Sequence, residues 1–173
     1  MSDVVEGRHF REVLRHFPTS VVAITTTDSD GQPRGMIVGT FMSVSLEPPL
    51  VSFLVDGSLQ HLLRTIRAAG RFCAPTRFAG NQERLSRRMA GGPNRFEEPS
   101  GRIPLGNPVL AGIVAWVDCT VEKIVELGDH QLVVGRVRTL RVESMKTPLL
   151  FFRGGYGDYL SSAGLLLDRL VGW

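Results

Sequence analysis

The chain is short of cysteine, of long apolar runs and of aromatics set among basic residues, and each shortage closes a class of function. Its 173 residues include two cysteines, Cys73 and Cys119. They stand far apart with no CxxC partner and no clustered histidines, which argues against a zinc site or a disulfide framework and leaves two buried thiols as the expectation. No stretch approaches the roughly 18 apolar residues that a membrane-spanning helix needs. The opening residues Met1 to Glu6 carry acidic groups and no apolar core segment, so they do not read as a secretory signal, and a cytoplasmic protein is expected. Nearly all the positive charge is arginine, scattered from Arg8 to Arg169 without a basic block, so the net charge of +3 gives little support to nucleic-acid binding.

The signatures of several enzyme classes are missing as well. No GxGxxG follows a strand and opens a helix, and no P-loop, HExxH or GxSxG occurs, so Rossmann dinucleotide sites, NTPases, zincins and α/β-hydrolases have no support. Asp129 beside His130 is not read as a catalytic dyad, because adjacent strand residues point to opposite faces.

What is present fits one domain over residues 1–173 with a full core, since single cores stay efficient to about 250 residues. The hydrophobic share of 43% suits a globular protein. Phe10, Val13, Leu14 and Phe17 repeat at helical spacing and Pro18 stops them. Val21 to Thr27 is β-branched almost throughout, and Asp28 to Pro33 is dense in turn formers, which predicts a hairpin. The second strand runs from Arg34 to about Ser45, Pro48-Pro49 breaks it, and Leu50 to Val55 resumes extended structure. Leu59, Leu62, Leu63 and Ile66 return to helical spacing, a strand follows around Phe72, and Asn81 to Ala90 has helix-forming composition. Gly91 to Asn107 reads as a long surface loop. From Pro108 onward the pattern is mostly strand: Val109 to Val125, a turn at Gly128, Gln131 to Val142, and Leu149 to Phe152. Strands and helices that do not alternate argue for a mainly β, antiparallel barrel with α additions rather than a doubly wound sheet.

Four segments carry the chemistry. Gly35 to Ser45 offers the close backbone approach of Gly39, hydroxyls at Thr40, Ser43 and Ser45, and apolar wall at Met36 and Phe41; taken alone it equally fits a half-buried strand. Val55-Asp56-Gly57-Ser58 lies between a strand and a helix, with Ser58 placed to be the N-cap. Gly128-Asp129-His130 sets an imidazole at a strand start, where it can donate a hydrogen bond in either protonation state. Leu149 to Gly157 ends Phe151-Phe152-Arg153-Gly154-Gly155-Tyr156-Gly157, which fits a core strand and its turn as well as a site.

Together these segments resemble the short-chain flavin reductase family, over about residues 10–159. The first is similar to that family's Gly-Met-Thr-Ala-Asn-Ser-Phe-Thr-Ser-Val-Ser, with Gly35, Met36, Phe41, Ser43, Val44 and Ser45 matching and Thr40 close. It departs at Ile37, Gly39 and Met42. Phe72-Cys73-Ala74-Pro75 departs too, with proline where the family has asparagine. The resemblance implies an FMN-binding split β-barrel with Greek-key-like connections, and an enzyme reducing FMN or FAD with NADH or NADPH. It implies flavin contacts at Met36, Ile37, Val38, Gly39, Thr40, Phe41, Ser43, Ser45, Asp56, Gly57, Ser58 and Tyr156, and a catalytic role for His130 on the nicotinamide side. It also implies an oxygenase partner for the reduced flavin, with no metal. Such an enzyme needs no catalytic dyad, because the flavin carries the redox chemistry. The apolar residues Leu165, Leu166, Leu167, Leu170, Val171 and Trp173, in an extension over residues 160–173, favour a homodimer. A ligand-binding barrel without reductase activity, for which the departures speak, and an arginine-using nucleic-acid barrel are the rival readings.

Overall fold

The computed structural model describes residues 5–77, 101–102, 105–109 and 112–159. The helix expected from Asn81, with Arg87 and Arg88 on it, and the extension from residue 160 lie outside them. Helix α1 spans Gly7–Leu14, one turn short of Phe17, and buries none of its residues. Strand β1 (Thr19–Ser20) is short; β2 (Val22–Thr27) is buried throughout. The predicted β2 hairpin forms around Asp28, whose Oδ1 accepts from the amides of Asp30 and Gln32 at 3.0 and 2.8 Å while Oδ2 accepts from Arg34 Nε at 2.8 Å.

The single strand expected over Arg34 to Ser45 is in fact two, β3 (Pro33–Val38) and β4 (Met42–Leu46), and β5 (Pro49–Asp56) follows. A 3₁₀ turn over Gly57–Leu59 leads into α2 (Gln60–Ala69), which buries Leu62, Leu63 and Ile66 and stops at Gly70 with φ of 63°. Strand β6 is Arg71–Arg77. The expected loop before Pro108 contains a strand, β7 (Gly101–Arg102), paired with β8 (Pro108–Val109), and Asn107 beside it is buried. Two long strands, β9 (Ile113–Leu127) and β10 (His130–Val142), turn at Gly128 with φ of 62°, and β11 (Leu149–Phe152) and β12 (Gly155–Asp158) form the last hairpin.

Seven antiparallel strands run in the order β3-β2-β6-β9-β10-β5-β4, and β1, β11 and β12 form a second sheet. The break between β3 and β4 follows from this order, because consecutive strands occupy opposite edges. Laid flat, seven strands would separate their edges by about 29 Å, yet the chain from Val38 to Met42 reaches at most ~14 Å. The sheet must therefore curl until its edges face one another. Thr40 Oγ1 closes part of that seam by accepting from Leu54 N on β5 at 2.9 Å. The seam is not a continuous ladder, so the barrel is split.

Alternation along the central strands feeds two cores. Val22, Ile24, Phe72, Ala74 and Cys119 pack inside the barrel with Met36, Phe53, Val133 and the α2 residues. Ala23, Cys73, Val109, Ile113 and Trp116 form a second cluster on the other face. Both cysteines are free and buried, as expected, and burial raises both thiols, Cys119 to about 12.

Candidate functional site

The eleven residues from Gly35 to Ser45 divide among several environments because the chain leaves one sheet edge for the other within them. Met36 is 1% exposed, so its side chain belongs to the core rather than to a surface wall. Ile37, Val38 and Gly39 line a crevice of about 170 Å³ with Thr19, Ser20, Val21, Phe151 and Tyr156. Phe151 and Tyr156 meet edge to face across β11 and β12, with centroids 5.3 Å apart. Thr40 is exposed with its oxygen bound to the Leu54 amide, Phe41 packs partly against the core, and Ser43 and Ser45 lie on β4 either side of a bulge.

Gly39 has a local cause that the sequence did not reveal. A Cβ at this position would stand 2.8 Å from Thr19 Oγ1. What approaches the Gly39 backbone closely is thus Thr19, and the crevice exists because no side chain pushes β1 and β3 apart there. Sequence reasoning named Ile37, Val38, Gly39 and Tyr156, and missed Thr19, Ser20, Val21 and Phe151 as lining. Nothing in the spacing of Thr19 and Ser20 marks them; Phe151 sat in a quoted segment, but its direct pairing with Thr19, 132 positions away, is not legible in the sequence.

A second cluster gathers where β5 ends and β10 begins. His130 pairs with Asp56 in register. Its Nδ1 lies 2.7 Å from Asp129 Oδ1, and its Nε2 lies 3.9 Å from Asp56 Oδ2. The expectation that Asp129 and His130 face apart is overturned, because Asp129 sits in the turn after Gly128 and is not bound by strand alternation. With a carboxylate as partner, Nδ1 carries the proton and Nε2 is the nitrogen left to act.

The cap also differs from expectation. Asp56, not Ser58, is the N-cap: its Oδ1 accepts from Ser58 N at 2.7 Å. The Ser58 hydroxyl and amide hold the Asp56 carboxyl below its usual value, and the His130 hydrogen bond does the same for Asp129. Gly57 N donates to Asp129 O at 3.1 Å, and a Cβ on Gly57 would come within 3.2 Å of that oxygen. Asp56, Gly57, Asp129 and His130 are therefore one locked corner.

Crevice and corner are connected through Gly39, its neighbour Thr40, and Leu54, which lies two residues before Asp56 on β5. His130 does not line the crevice itself. Among the described residues no group of three or more His, Cys, Asp or Glu could hold a metal. No described helix is long and apolar enough to cross a membrane.

Residues 14–159 match the family model described as flavin reductase like domain. A protein from Pseudomonas putida named flavin reductase is 43% identical over 157 residues, covering 90% of this chain and 91% of that one. An NADH:FMN oxidoreductase from Rhodococcus qingshengii is 34% identical, covering 85% and 79%. The crystal structure of nitrilotriacetate monooxygenase component B from Mycobacterium thermoresistibile superposes with a TM-score of 0.79 at 36% identity, covering 88% of this chain and 86% of that one.

Proposed function

The chain belongs to the flavin reductase like domain family, and on that premise we propose that it reduces FMN or FAD with NADH or NADPH and supplies the reduced flavin to a separate oxygenase. The observation that carries the reading is the crevice at the barrel seam, lined by Ile37, Val38 and Gly39 and faced by Phe151 and Tyr156. These residues fit the group. Isoalloxazine asks for a flat slot with apolar wall and peptide groups along its polar edge, and here aliphatic and aromatic side chains border an exposed glycine backbone. Such a flavin supplies the acceptor for hydride from nicotinamide and the store of two electrons.

The protein's own share is positioning. Ile37, only partly buried, gives the ring an apolar face, and the Gly39 and Thr40 backbone lies open beside it. Asp129 fixes the tautomer and plane of His130, whose Nε2 is directed to the Asp56 side. From there it accepts a hydrogen bond from the incoming nicotinamide end and orients it. Asp56 in turn orders Gly57 and Ser58, whose amides begin the turn.

We also infer a homodimer. A crevice of about 170 Å³ falls below the ~300–1,000 Å³ of ligand pockets, so a second surface completes it. Apolar side chains remain uncovered on α1 and β4, with Phe10 56% and Leu46 86% exposed in the isolated chain.

The test is the visible spectrum of purified protein before and after addition of FMN or FAD, followed by flavin-dependent oxidation of NADH and NADPH. Protein that neither binds flavin nor oxidises either nucleotide refutes the reading. Bound flavin reducible by dithionite but inert to both nucleotides favours the ligand-binding alternative. That alternative draws on Pro75, buried in β6 where the family has asparagine.

A further inference from the structure

Beside the crevice, α1 and the turn between β11 and β12 border an open groove, a second cavity of about 540 Å³ lined by Arg8, Arg11, Glu12, Arg15, Phe151 and Gly154. We propose that this cavity holds the diphosphate of an adenine dinucleotide whose ring end occupies the crevice; the proposal rests on the flavin reading above. Phe151 lines both cavities, so they adjoin one another. The two spaces are thus neighbouring lobes, one apolar and ring-sized in part, the other rich in guanidinium groups.

The charge follows from helix geometry. Arg8, Arg11 and Arg15 are spaced three and four residues apart and share one face. Glu12 occupies Arg15 at 3.2 Å, and Glu6 approaches Arg8 only to 3.9 Å. Among the described residues Arg11 has no carboxylate partner; its Nε donates to Gly7 O at 3.3 Å, which leaves both terminal nitrogens for a ligand. A planar guanidinium fork matches phosphate oxygens two at a time. The walls are tied together, since Arg153 N donates to Arg15 O at 3.3 Å and fixes the turn against the end of α1. Gly154, with φ of 87°, leaves the floor of the turn without a side chain.

FAD and the nicotinamide nucleotides share the adenosine diphosphate group, and FMN lacks it. The direct probe is therefore ADP, titrated calorimetrically into the full chain, into Arg11→Ala/Arg15→Ala and into Arg11→Lys/Arg15→Lys, with a thermal melt of each to confirm folding. Wild type binds ADP, the alanine pair weakens it at least tenfold, and the lysine pair keeps part of the affinity. If FAD is the source, the alanine pair also loses tenfold or more toward FAD while FMN changes less than twofold. If the nicotinamide nucleotide is the source, its KM rises by that factor with kcat held, and FAD and FMN move together. Absence of ADP binding to wild type at millimolar concentration, or equal affinity in the folded alanine pair, overturns the proposal. Arginine-dependent ADP binding by protein that takes up neither flavin refutes the flavin reading instead and leaves the cavity standing as an adenine-nucleotide site.

Discussion

His130 Nδ1 lies 2.7 Å from Asp129 Oδ1, a bond between sequence neighbours that only a turn permits. On the proposed function, Asp129 orients the imidazole and His130 serves the reaction, so the two are expected to act as a unit, and effects of residues acting as a unit do not add. His130→Ala is expected to lower kcat for nicotinamide-dependent flavin reduction by roughly 10- to 100-fold, at or below the bottom of the range for a proton-transferring acid or base because the imidazole only positions the donor. Asp129→Ala costs about threefold to tenfold by loosening the ring, and the double variant is no slower than His130→Ala. Stopped-flow reduction of bound flavin measures all three; fully additive losses would show that Asp129 acts independently.

The same bond sets an acid limit. The hydrogen bond and charge of His130 put the Asp129 carboxyl below its ordinary 3.8. Because the folded value is the lower one, the stabilising contribution is complete above the unfolded value and disappears only as pH falls through the folded value. The Asp129 carboxylate therefore stays ionised, and able to accept from Nδ1, throughout the neutral and mildly acidic range. A carbon-detected NMR titration of the Asp129 carboxyl checks this: its midpoint belongs below 3.8, and moves up in His130→Ala.

How far the sequence foretold these arrangements depended on whether a feature was local. The β-branched run of β2, the Asp28 turn and the helical spacing of Leu62, Leu63 and Ile66 are neighbour effects, and they reappear in the structure. The break at Gly39 to Phe41 was illegible, because those residues look like continuous strand until the pairing of β3 and β4 at opposite edges is known. Asp129 was misjudged for the opposite reason: strand alternation was applied one residue too early, across a boundary set by Gly128. Thr19 and Phe151 reach the crevice through pairing of β1 with β11, which joins residues more than 130 positions apart.

The proposed homodimer is tested by light scattering on the purified protein. Met42, Val44 and Leu46 present an exposed apolar edge on β4. A charge placed there would be buried unpaired if a second copy covered it, which is costly. Leu46→Arg is expected to shift the dimer toward monomer and to weaken flavin binding with it. A mass of one chain for wild type at all concentrations would remove the proposal.

Gly39 and Thr19 form a coupled pair. A methyl group at position 39 would lie 2.8 Å from Thr19 Oγ1, and so β1 must yield. Gly39→Ala should cost about 1–3 kcal/mol of stability as overpacking and should narrow the crevice, weakening flavin affinity about tenfold. Thr19→Ala removes the hydroxyl and restores part of both. A double-mutant cycle on urea midpoints and flavin titrations measures the coupling, and its absence would mean that the two residues do not confine one another.

The deepest contact that steers the site is between Gly135 and Phe72. A Cβ on Gly135 would run into the far end of the Phe72 ring and stand 3.0 Å from Cys119 Cβ. The ring has no room to retreat, being fully buried and held edge to face against Phe53 at 5.0 Å. Gly135 also sits at a register shift between β9 and β10, five residues along β10 from His130. Displacing the strand there disturbs the pairing that sets His130 opposite Asp56. Gly135→Ala is therefore expected to cost about 2–3 kcal/mol, near the upper part of the overpacking range, and to lower Tm by roughly 5–10 °C for a chain of this size. Phe72→Leu on its own leaves a void, yet combined with Gly135→Ala it makes room for the new methyl, so the double variant is more stable than the sum of the singles predicts. Thermal melts of the four proteins decide the matter: an unchanged Tm in Gly135→Ala would show that the ring moves freely and that this contact does not hold the strand.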